Sequence, residues 1–121
     1  MQSTFNTLAQ WNKKVFIVNR VPIYPVKNPA FLGMRLAISS KAPADYLLAP
    51  EYGVKASEQI KSLLPTENVF SPQDLLCEKG KCLIYRDHEI MVRDRAHLSS
   101  AASIYIVQSM APKLRIAFDI Q

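Results

Sequence analysis

Apolar positions along this chain change their period several times, and each change predicts an element. Phe5, Leu8 and Trp11 recur at roughly helical spacing, so Phe5–Asn12 reads as the end of a helix. Lys13 and Lys14 break that pattern and lead into Val15-Phe16-Ile17-Val18, closed by Asn19-Arg20-Val21-Pro22. An uninterrupted apolar run of this length predicts a buried parallel strand. Pro22, Pro25 and Pro29 argue against helix and predict an extended loop behind the strand. In open α/β sheets, loops at the carboxyl ends of parallel strands hold the ligands.

Helical character returns weakly over Leu36–Leu48, interrupted at Pro43, and more clearly over Tyr52–Leu64, with Val54, Ile60, Leu63 and Leu64 as apolar contacts and Pro65 as its stop. Val69-Phe70 is short enough for an internal strand, and Ser71-Pro72 predicts a capped helical turn running into Leu75-Leu76-Cys77. The segments Leu83–Arg86 and Glu89–Val92 flank Asp87-His88, which predicts a hairpin tight at Asp87. From Ser99 to Met110, Ala102, Ile106 and Met110 lie four apart with Tyr105 alongside, an amphipathic helix that Pro112 should stop. The tail Leu114–Ile120 reads as an edge strand. This order of elements predicts a layered α/β fold without repeats.

With 121 residues and 49% hydrophobic content, the chain fits one domain, 1–121, and a disordered or fibrous reading is excluded. The net charge of +5 comes from basic residues scattered along the chain rather than gathered in a stripe, so no nucleic-acid partner is expected. No apolar run approaches the ~18 residues of a membrane span. The start, Met-Gln-Ser-Thr-Phe-Asn-Thr-Leu, shows no signal peptide. Cys77 and Cys82 enclose a four-residue loop in which Gly80 supplies a tight backbone, so a disulfide is sterically reasonable. That bond would imply an oxidising compartment, while the missing export signal points to the cytosol with two free thiols. The conflict disappears if the chain is a piece of a longer exported protein.

The strongest chemical signal is Asp94-Arg95-Ala96-His97-Leu98-Ser99. An aspartate three residues before a histidine can hold one imidazole nitrogen, fix the tautomer, and free the other nitrogen to take a proton from a hydroxyl nucleophile. Ser99 then has a structural task, capping the helix that follows. The plainer alternative is an exposed histidine in a charged loop, with Asp94 paired to a neighbouring arginine.

From Asp74 onward the chain resembles the carboxyl-terminal part of the SGNH (GDSL-like) hydrolase domain attached to family-3 membrane acyltransferases, which O-acylate cell-surface polysaccharides. The resemblance lies in an ordered set: Cys77, Gly80, Cys82, the Leu83–Val92 hairpin, then Asp94, His97, Leu98 and Ser99. The Lys14–Pro22 segment also looks like the family's strand before its proline-containing loop. The family's nucleophile sits in a Gly-Asp-Ser motif, whereas the three glycines here precede Met34, Val54 and Lys81, and no asparagine here precedes an aspartate. After His-Leu-Ser, Ala101 stands where the family often has glycine.

The resemblance implies an incomplete three-layer α/β fold with an SGNH or flavodoxin-like sheet, of which this chain is the carboxyl-terminal portion. It implies a serine esterase or O-acyltransferase site in which His97 is the general base and Asp94 its orienter, with the nucleophile elsewhere, so the chain alone is expected to be inactive. The Cys77–Cys82 bridge would be structural. The expected partners are the amino-terminal half of the SGNH domain, the membrane acyltransferase domain and a polysaccharide substrate, at the periplasmic face of the inner membrane. An unpaired edge at Val15–Val18 predicts self-association. No cofactor or metal is expected. A zinc site at Cys77, Cys82, His88 and His97 is the weaker alternative, because the histidines stand nine apart, outside the usual ligand-pair spacing. A second alternative is a non-catalytic glycan- or protein-binding remnant of the fold. Tyr24, Tyr46, Tyr52 and Tyr85 could stack on sugars, but aromatics at such positions more often pack.

Overall fold

The computed structural model describes residues 1–25, 27–39, 45–48 and 54–121, with the side chains of residues 29, 45–48, 54 and 55 outside that description. Along the chain these residues form α1 (Gln2–Gln10), β1 (Ile17–Val18), α2 (Pro29–Ala37), β2 (Asp45–Leu48), α3 (Val54–Lys61), a 3-10 turn (Thr66–Asn68), β3 (Val69–Phe70), α4 (Pro72–Leu76), β4 (Cys77–Glu78), β5 (Lys81–Arg86), β6 (Glu89–Ile90) and α5 (Ser100–Phe118).

Strand β5 organises the larger sheet because Cys82-Leu83-Ile84-Tyr85 is apolar without interruption and buried throughout. Strand β2 runs antiparallel along one of its edges, and β4 and β6 share the other. Two-residue turns make both hairpins. Lys79 and Gly80 take φ values of 50° and 75°, and Asp87 and His88 take 47° and 67°. Positive φ at both turn residues matches the twist of the flanking strands, as the sequence predicts at Asp87.

Successive residues of β5 face opposite sides of the sheet. Leu83 joins Phe70, Met91, Ala102 and Ile106 in one core, under α5. On the other side Cys82 and Ile84 meet Tyr24 and Val92, covered by Leu32 and Leu36 of α2. Gly33 permits that close approach, since a Cβ there would stand 3.1 Å from Ile90 Cγ2 and 3.3 Å from the Ile84 carbonyl. The result is helix over sheet over helix, an incomplete α/β fold.

A second, two-stranded sheet pairs β1 with β3 in parallel, Ile17 opposite Val69 and Val18 opposite Phe70. The parallel direction follows expectation, but the burial is partial. Val18 is 51% exposed, because among the described residues β1 has β3 as its one strand neighbour.

The weak helical reading of Leu36–Leu48 is corrected at both ends. Helix α2 starts earlier, where the Asn28 side chain accepts a hydrogen bond from the Phe31 amide and a proline occupies the first turn. Residues 45–48 are strand, stabilised by pairing with β5 some forty positions away, a contact that overrides local propensity. Residue 43 and the amino end of the Tyr52–Leu64 helix lie outside the described residues; α3 occupies its middle.

Pro112 does not stop the last helix, and the tail is not an edge strand. Helix α5 runs through Pro112 to Phe118. An interior proline costs about 3 kcal/mol through its missing N–H and its clash with the preceding turn. Contacts at the far end offset part of that cost: Phe118 packs on Phe16 with ring centroids 6.3 Å apart, and Asp119 pairs with Lys14 at 2.9 Å. Asp119 itself ends the helix in the left-handed conformation.

Candidate active site

The loop between Val92 and Leu98 is a small closed structure. Val92 and Leu98 form a β-bridge, the Arg93 amide donates to the His97 carbonyl at 2.8 Å, and the Ser99 amide donates to the Met91 carbonyl at 3.2 Å. At the loop's head the Asp94 carboxylate turns inward on its own backbone. Oδ1 accepts hydrogen bonds from the amides of Ala96 at 2.9 Å and His97 at 3.0 Å. A short polar side chain bonding two and three residues ahead stabilises a turn without helix or strand.

The same carboxylate meets the imidazole, with His97 Nδ1 2.8 Å from Asp94 Oδ2 and 2.9 Å from Oδ1. A carboxylate in this position accepts, so Nδ1 carries the proton, and in the neutral ring Nε2 presents a lone pair. The His97 side chain is 74% exposed, and the ring can be reached from outside the described residues. The amide of Ala96, then the His97 side chain, hold the Asp94 carboxyl below the usual carboxylate range. Asp94 therefore stays ionised at neutral pH.

Just past His97, the Ser99 hydroxyl accepts from the Ala102 amide at 3.2 Å and caps α5. Ser99 is thereby committed to the helix start. Cys77 and Cys82 are joined in a disulfide between directly opposed residues of β4 and β5. That bond removes two thiolates from the zinc alternative. His88 sits on the hairpin turn with Nδ1 3.2 Å from the Tyr85 hydroxyl, apart from the other candidate ligands. Among the described residues no group of three metal-binding side chains assembles.

Two of the four tyrosines are excluded as sugar platforms. Tyr24 and Tyr85 are each 1% exposed, with no face available for stacking. The side chains of Tyr46 and Tyr52 lie outside the described residues. Tyr24 has a different place in the site: its amide donates to the Arg95 carbonyl at 2.9 Å, and Arg95 Nε donates to the Tyr24 carbonyl at 3.2 Å. The Asp94–His97 loop is thus pinned to the loop that follows the carboxyl end of β1, where ligand sites of α/β sheets gather. The sequence offers Tyr24 only as an aromatic and gives no sign of its pairing with Arg95, because 71 positions separate the two and no periodicity links them.

A family model described as the SGNH domain (fused to AT3 domains) matches residues 1–112. No curated protein and no solved structure matches the chain.

Proposed function

Because the chain belongs to the family of SGNH domains fused to AT3 domains, we propose that it is the carboxyl-terminal portion of an SGNH domain and contributes Asp94 and His97 to a serine esterase or O-acyltransferase site acting on cell-surface polysaccharide. The observation that carries this reading is the 2.8 Å contact from His97 Nδ1 to the ionised Asp94 carboxylate, with Nε2 left open. The fusion to AT3, a membrane acyltransferase domain, fits a membrane-associated parent, and no helix among the described residues is long and apolar enough to cross a membrane. The disulfide fits an oxidising compartment such as the periplasm.

The chemistry follows from the tautomer. His97 Nε2 takes the proton of a serine hydroxyl as its oxygen attacks the ester carbonyl of the acyl donor, and Asp94 stabilises the imidazolium. The imidazolium then protonates the departing alkoxide, leaving an acyl-serine. A sugar hydroxyl or water next gives its proton to Nε2 and attacks the acyl carbon, and His97 returns the proton to the serine oxygen as it leaves. The serine belongs to the amino-terminal half of the domain, since the chain holds no Gly-Asp-Ser motif.

The first test is the coding sequence upstream of the Met1 codon in all three forward frames, where a Gly-Asp-Ser segment preceded by hydrophobic spans is expected. Ester hydrolysis by the domain assembled from both halves should then be lost in His97→Ala. Turnover that survives this substitution overturns the catalytic reading. Carbohydrate binding that survives it, in a domain without turnover, would instead favour a binding remnant.

A further inference from the structure

We propose that Arg95 is the positioning residue of the site, setting where the Asp94–His97 loop stands relative to the rest of the fold; the inference rests on the catalytic reading above. The bonds inside the loop cannot do this. Asp94 to Ala96 and His97, Arg93 to His97, and the Val92–Leu98 bridge all close within seven consecutive residues. They fix the tautomer and the curl of the loop, but an exposed hairpin tip held only at its own stem is free to sway.

Arg95 ties the tip to something rigid. Its carbonyl accepts from the Tyr24 amide at 2.9 Å while its Nε donates to the Tyr24 carbonyl at 3.2 Å, a bracket of two bonds in opposite directions. The second is strengthened by the guanidinium charge. Tyr24 is itself immobilised. Its ring is buried among Ile84, Tyr85 and Val92, and its hydroxyl donates to the Leu83 carbonyl of β5. Burial pushes the Tyr24 phenol well up, so the hydroxyl remains a donor throughout the working pH range. The position of His97 is thus referred through Arg95 and Tyr24 to the central strand. A base acting on a serine from another segment needs that reference, since a displacement of about 1 Å in a reacting group can cost about a hundredfold in rate.

The test compares Arg95→Gln and Arg95→Lys with the unaltered chain. In the 121-residue chain, Arg95→Gln should speed exchange of the Tyr24 amide about fivefold, the loss expected for one hydrogen bond, while the His97 ring keeps its proton on Nδ1. In the domain assembled from both halves, kcat should fall about tenfold or more with KM within about twofold, and Arg95→Lys should recover part of the loss. Tyr24 exchange unchanged in both variants overturns the bracket whether or not the domain turns over. Unchanged kcat in Arg95→Gln, in a domain that His97→Ala inactivates, overturns the positioning role and leaves the catalytic reading standing. If His97→Ala retains turnover, the catalytic reading is what fails. Should Arg95→Gln not fold, Arg95→Lys carries the same comparison.

Discussion

Replacing Asp94 by asparagine should invert the tautomer of His97 while sparing the loop. The carboxylate accepts three N–H groups: Ala96 N at 2.9 Å, His97 N at 3.0 Å and His97 Nδ1 at 2.8 Å. An amide oxygen keeps the two backbone bonds, so the turn persists. The amide nitrogen, however, replaces Oδ2, the oxygen nearest Nδ1, and turns a donor toward it, which favours the tautomer in which Nδ1 accepts. The proton moves to Nε2, and the atom assigned as general base becomes a donor. In a serine-protease triad the same change costs about 10⁴ in kcat, and a loss of that order is expected in the assembled domain. The tautomer can be measured in the chain alone by long-range proton–nitrogen correlation of the imidazoles. Only His88 and His97 contribute rings to that spectrum. Finding Nε2–H at His97 in the unaltered chain, or an unchanged pattern in Asp94→Asn, refutes the reasoning. The pH dependence has a definite sign. Because backbone and His97 hydrogen bonds depress the Asp94 carboxyl, its support of the loop is present above the ordinary aspartate value of about 3.9. That support is lost as pH falls through the depressed value, so the protection of the Ala96 and His97 amides from exchange should survive acidification past about pH 4.

Tyr24→Phe removes the donor to the Leu83 carbonyl inside a buried cluster and should cost about 1–3 kcal/mol in chemical denaturation. Since burial raises the Tyr24 phenol, stability of the unaltered chain should fall above about pH 10, where the unfolded chain loses the proton first, by up to about 1.4 kcal/mol per pH unit; this slope should be absent in Tyr24→Phe. Breaking the Cys77–Cys82 bridge by paired serines releases a loop of six residues counted inclusively and should lower stability by about 2 kcal/mol on the chain-entropy scale; assembled-domain activity indifferent to reduction would contradict the structural role. Pro112→Ala should stabilise the chain by up to about 3 kcal/mol, because Pro112 is an exposed interior position of α5 and alanine restores the missing amide donor. A lower melting temperature would mean that the proline shapes a bend the last turn needs.

What could be read without coordinates is what neighbouring residues settle among themselves. The Asp87-His88 turn, the serine caps at Ser71 and Ser99, and the approach of Asp94 to His97 each close within a few positions. Their geometry follows from side-chain chemistry and short-range backbone preference. The order of Cys77, Gly80, Cys82, Asp94 and His97 was likewise legible as a family pattern, and the match over residues 1–112 bears out that recognition. The misreadings share a different cause. Residues 45–48 are strand because β5 offers an edge, α5 survives Pro112 because Phe16 and Lys14 hold its far end, and α2 seats on the sheet where Gly33 leaves room. Arg95 meets Tyr24 across 71 positions of sequence. In each case the deciding partner lies tens of residues away, and a contact at that separation forms only after packing has met the entropy of closing the chain. Local periodicity carries no record of it.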